Sequence, residues 1–189
     1  MKIKFGLKIF AFLFIMGFMF SGCLTVQYKV YNFKINKDGS GTLTITYKNI
    51  MSQVSSQSQD SIAQEINSDF ASLLTDYVAG SQIEKEYPNA KVVKKELYEE
   101  NGVLNGKVVI EFDNPAQVGL FKYDKRSPYT MCMGSSMTES YFDSNGKYDK
   151  DLNVVAWDRK MKELTLVTLV TEPGDDTYGL LDMWKSMKK

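Results

Sequence analysis

The amino-acid sequence predicts an α+β domain, an antiparallel β-sheet built from hairpins with one long helix packed on a face. Three observations carry that expectation. Stretches of alternating apolar and polar residues recur along the chain, as half-buried strands require. Turn residues join them, with Asn101-Gly102 the clearest hairpin signal. A single stretch of helical period, Ile62 to Tyr77, lies between the first pair of strands and the second.

Taken in order, Leu24, Val26, Tyr28 and Val30 alternate with Thr25, Gln27 and Lys29. At Tyr31 the apolar set becomes Tyr31, Phe33 and Ile35. A change of face within one strand predicts a β-bulge near Val30-Tyr31. Asn36 to Gly41 supplies the turn, and Leu43, Ile45 and Tyr47 alternate with Thr42, Thr44 and Thr46 on the return. The threonine face of this hairpin meets water or a partner. Ser52 to Asp60 reads as a loop or a frayed helix start. Ile62, Ile66, Phe70, Leu73, Leu74 and Tyr77 form one helical stripe. Asp60 or Ser61 caps it, Gln64 is placed to close a capping box on Ser61, and Gly80 stops it.

A second hairpin is expected to pair Lys91 to Tyr98 with Val103 to Phe112, with Val108, Ile110 and Phe112 facing inward. Pro115 opens a short helix through Leu120 and Phe121. A third hairpin is expected to run from Ser140-Tyr141-Phe142 through Asp143-Ser144-Asn145-Gly146 to Val154-Val155-Ala156-Trp157. Glu163 to Val170, apolar on both faces, reads as a central strand. In the tail, Leu180, Leu181, Trp184 and Met187 share a stripe opposite Lys185, Lys188 and Lys189. That pattern fits a helix docked on the sheet or one resting on a membrane. The expected organisation is residues 23–175 as a single α+β domain and 176–189 as a C-terminal amphipathic tail.

Residues 1–22 read differently. Lys2, Lys4 and Lys8 precede the uncharged run Ile9 to Phe20, and Ser21-Gly22-Cys23 follow. Basic, apolar and small residues in that order make a secretory signal. The apolar run is shorter than the roughly 20 residues needed to cross a bilayer. The arrangement resembles a bacterial lipoprotein signal peptide, with Phe20 where leucine is usual. The resemblance implies that Cys23 becomes the N-terminus and carries a thioether-linked diacylglycerol, with a further amide-linked acyl chain such as palmitate. Two or more chains anchor a protein stably. The other readings are an uncleaved anchor and an ordinary signal that leaves Cys23 free. Leu24 after the cysteine favours the outer membrane, by analogy, if the cell has one.

Composition excludes several classes of function. The chain has 23 basic and 23 acidic residues, and without Lys2, Lys4 and Lys8 the acidic ones predominate. Nucleic acid, which needs a concentrated basic face, is not an expected partner. There is no histidine, which removes His-based triads, His general bases and almost all catalytic zinc sites. No cofactor and no metal are expected, and no residue is assigned a catalytic role.

Asn36, Asp38, Ser40 and Gly41 echo part of a calcium loop. Tyr47, however, stands where the bidentate glutamate belongs, so a hairpin turn is the better reading. Asp143 to Gly146, with Asp149 and Asp151 beyond, reads the same way. Met131, Cys132 and Met133, with Met137 nearby, are soft ligands suited to Cu(I). Strand alternation would send the methionines to one face and the cysteine to the other, and methionine is also an ordinary core filler. Gly134-Ser135-Ser136 lacks the spacing of a nucleophile elbow.

Cys23, the apolar strand after it, and Asn36-Lys37-Asp38-Gly39-Ser40-Gly41-Thr42-Leu43-Thr44-Ile45 together resemble the opening of LppM-type bacterial lipoproteins. The resemblance covers about residues 20 to 47. It implies a membrane-tethered envelope domain with affinity for lipid or another apolar ligand. Acylation, a compact α+β domain and the lack of a recognisable catalytic set point to a non-enzymatic binding or interaction module on the periplasmic side. The alternatives are an accessory subunit of an envelope complex and a hydrolase using carboxylates.

Overall fold

The computed structural model describes residues 24–133 and 139–188. Cys23, the signal segment, Gly134-Ser135-Ser136 and Met137 lie outside them. The described chain is an α+β fold dominated by antiparallel sheet. Strands β1 (Leu24–Ile35), β2 (Gly41–Gln53), β3 (Lys91–Glu100), β4 (Val103–Phe112), β6 (Ser140–Ser144), β9 (Glu163–Leu169) and β10 (Thr177–Gly179) form a seven-stranded sheet. Its order is β3-β4-β2-β1-β9-β6, with β10 pairing only to β2. A second, three-stranded sheet has the order β5-β8-β7, from β5 (Tyr129–Cys132), β7 (Lys147–Asp149) and β8 (Val154–Trp157).

The two hairpins expected from turn chemistry form. Asn101 at φ 55° and Gly102 at φ 77° make the tight β3–β4 connection that matches strand twist. In the β1–β2 turn, Asp38 accepts hydrogen bonds from the Ser40 amide at 3.1 Å and the Ser40 hydroxyl at 2.8 Å. Those bonds hold its carboxyl below the usual range and leave the turn with a structural role.

The change of face in β1 is real, but there is no bulge at Val30-Tyr31. The β1–β2 ladder keeps one register from Leu24–Ser52 to Ile35–Gly41. The irregularity lies at Asn49, opposite Gln27, where φ is 55°. Asn tolerates that left-handed conformation better than most residues. The Asn49 side chain donates to Gln27 at 3.2 Å, and its amide donates to the buried Asn105 carbonyl oxygen at 3.0 Å. Here β2 changes partner: Gly41 to Tyr47 pair with β4, and Met51 to Gln53 pair with β10. Tyr47 and Ile50, an odd number of residues apart, therefore line the same cavity.

The long helix is only partly as expected. α1 (Gln59–Ser72) gives way to a π turn over Leu73–Val78, closed by the Ala79 amide on the Leu74 carbonyl at 2.9 Å. Ser58, not Asp60 or Ser61, is the N-cap, accepting from the Ser61 amide. A short α2 (Gln82–Glu86) follows. Ser52, expected in a loop, is fully buried in β2 and donates to Asp69 of α1 at 2.6 Å.

The third expected hairpin is rewired. β6 pairs with β9 at the edge of the large sheet, whereas β8 pairs with β5 and β7. Asn145 joins the sheets, accepting from the Trp157 indole N–H and the Thr165 amide, each at 2.8 Å. α3 (Leu181–Met187) rests on the large sheet. Leu180 and Trp184 are buried there with Val26, Ile50, Phe70, Leu73 and Leu104. A second apolar cluster, with Phe33, Leu43, Ile110, Leu164 and Leu166, packs under the small sheet through Met131, Met133, Val155 and Trp157.

Candidate functional site

A cavity of about 330 Å³ opens between the large sheet and the helical layer. That volume is within the range of small-molecule sites. Leu24 and Val26 of β1, Ile50 of β2, Leu97 of β3, Val108 of β4 and Val170 form its sheet side. Leu73, Tyr77 and Val78 of the π turn and Ile83 of α2 form the other. A π turn shifts the side chains that follow it relative to a regular helix, and such turns occur at functional sites more often than elsewhere.

Gly106 in mid-β4 also lines the cavity. Glycine within a strand weakens it, and its common reason is close approach by another group. Here a Cβ would meet nothing nearer than the Ile50 δ-methyl at 3.3 Å, and φ is not positive. Backbone geometry does not require glycine, a Cβ would press on the movable end of the Ile50 side chain, and the missing side chain deepens the cavity.

A polar seam runs beside the cavity, between the apolar clusters. Lys29, on the cavity wall, pairs with Glu139 at 2.6 Å. Glu139 also accepts from the Tyr31 hydroxyl at 3.0 Å and the Thr168 hydroxyl at 2.7 Å. Its side chain is only 8% exposed, with the Lys29 ammonium balancing its charge and the two hydroxyls occupying its acceptor sites. Lys29 lies 5.8 Å from the centroid of the Tyr47 ring. Tyr47 and Tyr77 pack against both apolar clusters.

Ile83 and Glu86, three residues apart on α2, both line the cavity, as helical spacing allows. Ile83 is buried and fixes α2 to the sheet. Glu86 is accessible along the cavity wall and makes no ion pair or side-chain hydrogen bond among the described residues. The surrounding protein raises its pKa, Lys29 opposes the rise, and Glu139 adds to it. Burial, then the charge of Glu86, pushes the Tyr77 hydroxyl up to about 12 and raises Tyr47 and Tyr87 further. Burial and Glu139 do the same to Tyr31.

Among the described residues the sulfurs of Met131, Cys132 and Met133 do not converge. Met131 and Met133 are buried and Cys132 is exposed, so adjacent sulfurs leave the strand on opposite faces. Met131 and Met133 act as core fillers. Among the described residues no group of His, Cys, Asp and Glu side chains is arranged to hold a metal, and no helix is long and apolar enough to cross a membrane. A sheet with a helix on one face can leave an apolar groove between the layers, but the sequence named none of its polar residues, neither Lys29 and Glu86 on the wall nor Glu139 beside it. The one local signal was Gly106, an isolated glycine inside a strand pattern. Comparison with known proteins adds no relative: no family model, no curated protein and no solved structure matches the chain.

Proposed function

We propose that this chain is a cell-envelope lipoprotein, tethered through acylated Cys23, that works as a non-enzymatic binding module for a lipid or another apolar ligand. The observation that carries the reading is the cavity between sheet and helices, apolar over most of its wall and enlarged by Gly106. Leu24 and Thr25, the residues just after Cys23, belong to that wall. An acyl anchor on Cys23 would therefore hold the cavity close to the bilayer from which an apolar ligand comes. The Cys23 tether, the periplasmic location and the kinship with LppM-type lipoproteins are parts of the same proposal.

A carboxylate hydrolase is the weaker reading. Of the acidic groups near the cavity, Glu139 is buried and bound by Lys29, Tyr31 and Thr168, which leaves Glu86 without a free acidic partner. An accessory subunit is favoured by one feature, the exposed Phe142 ring set 4.9 Å from the half-buried Tyr28 ring.

Native mass spectrometry of the full chain carrying Cys23→Ser, purified without detergent, tests the binding reading. The expected spectrum contains protein with bound apolar adducts, or protein that takes them up from phospholipid vesicles. Gly106→Leu should remove those adducts. A bare protein that also ignores vesicles would contradict the proposal. Intact mass of the unsubstituted exported protein tests the tether: diacylglycerol on Cys23 is expected, and an unmodified thiol would refute it.

A further inference from the structure

We infer that the cavity is selective for a cationic amphiphile, an apolar chain ending in an ammonium group that Glu86 receives beside Tyr47 and Tyr77. The inference rests on the binding reading and adds the chemistry of the head group.

The charges on the wall carry the argument. Each lysine lining the cavity already has a carboxylate. Lys29 holds Glu139 at 2.6 Å, Lys95 holds Glu84 at 2.9 Å, and Lys107 holds Glu96 at 3.6 Å. Lys95 also donates to the Gly80 carbonyl. Glu96, the other lining carboxylate, is further paired with Lys94 at 2.7 Å. Glu86 alone among these lining groups has neither an ion pair nor a side-chain hydrogen bond among the described residues. The charged group left without a close partner on the wall is therefore a carboxylate, Glu86.

The surroundings suit a cation in a second way. Tyr47 and Tyr77 line the same wall. Aromatic rings attract cations through their quadrupole, and rings beside a carboxylate are a recurring receptor for ammonium groups. Tyr47 already shows this behaviour toward the Lys29 ammonium at 5.8 Å. An anionic head group that used Lys29 would have to displace Glu139, leaving a buried carboxylate without its cation, which is strongly unfavourable. A cation requires no displacement.

Isothermal titration of the full chain carrying Cys23→Ser provides the test. Dodecyltrimethylammonium, dodecanoate and dodecanol serve as probes, each below its micelle concentration. The cation is expected to bind at least about tenfold more tightly than dodecanoate. Glu86→Gln should cut binding of the cation by a similar factor and leave dodecanol unchanged. Gly106→Leu should weaken all three probes, and Val78→Phe does the same from the helical wall if the first variant folds poorly. Equal binding of all three probes, tighter binding of dodecanoate, or a cation preference that survives Glu86→Gln would overturn the head-group inference while leaving the apolar cavity intact. Binding of no probe would sink the cavity reading itself.

Discussion

At the scale of single residues, the chain holds polar groups where an apolar side chain would pack more simply. Asn105 is fully buried in β4, accepts from the Asn49 amide and donates to the Glu100 and Val103 carbonyls. It thereby supports the left-handed turn of Asn49 that lets β2 change partner. Asn105→Leu is expected to cost about 1–3 kcal/mol, since it strands buried backbone groups; urea unfolding measures the loss. Lys29 and Glu139 form a largely buried pair. Lys29→Met should destabilise by roughly 3 kcal/mol by leaving Glu139 without its cation, and the double change with Glu139→Gln should recover part of that in the same assay. Glu86 works in the opposite sense. Its folded pKa is raised by burial, so its contribution to stability is complete below the unfolded value and is lost as pH rises through the folded one. Glu86→Gln should therefore be more stable than the parent at neutral pH. Because the group is accessible, the gain should stay under about 1 kcal/mol, and it should vanish near pH 4, which thermal melts across pH can follow.

At the scale of elements, local chemistry was legible and long-range pairing was not. Asn101-Gly102 forms its hairpin because both residues tolerate positive φ, a property that needs no neighbours. Pro115 opens a short helix capped by Asn114, again a local matter, but the helix ends at Val118, where Gly119 takes φ 76°, and does not run on to Phe121. The partner of Ser140–Ser144 had no local signal, since pairing with β9 depends on what β1 leaves open. α2, Gln82–Glu86, spans only five residues and is too short to show a period, so Glu86 could not be placed beforehand. α3 was legible as a stripe. Leu180 and Trp184 bury it against the sheet, while Met187 at the end of the same stripe stays 55% exposed. Trp184→Ala should cost about 3–5 kcal/mol as a large core truncation, and denaturant unfolding reports it. The same substitution would barely matter for a tail held off the body of the protein.

At the scale of the whole molecule, one sheet face carries two apolar clusters covered by different layers, and the cavity and its polar seam lie where those layers meet. Such a site is assembled from strands, a π turn and a short helix far apart in the chain, which is why periodicity did not reveal it. The tyrosines in and around the seam are expected to govern the alkaline limit of the fold. Tyr31, Tyr47, Tyr77 and Tyr87 all have raised pKa values, burial being the largest cause. Their contribution to stability is full below the unfolded tyrosine value of about 10 and is lost as pH climbs toward the folded values. Ultraviolet titration should show these phenols ionising together with loss of tertiary structure, near or above the value of about 12 for Tyr77. Ionisation at ordinary pH in the intact fold would contradict their placement. The central claim, an apolar chain held between sheet and helices, is tested most directly by nuclear Overhauser contacts between a bound dodecyl chain and methyl-labelled protein. Cross-peaks to Leu73, Ile83, Leu97 and Val108 are the predicted result, and contacts confined to exposed Leu152 or Val93 would contradict it.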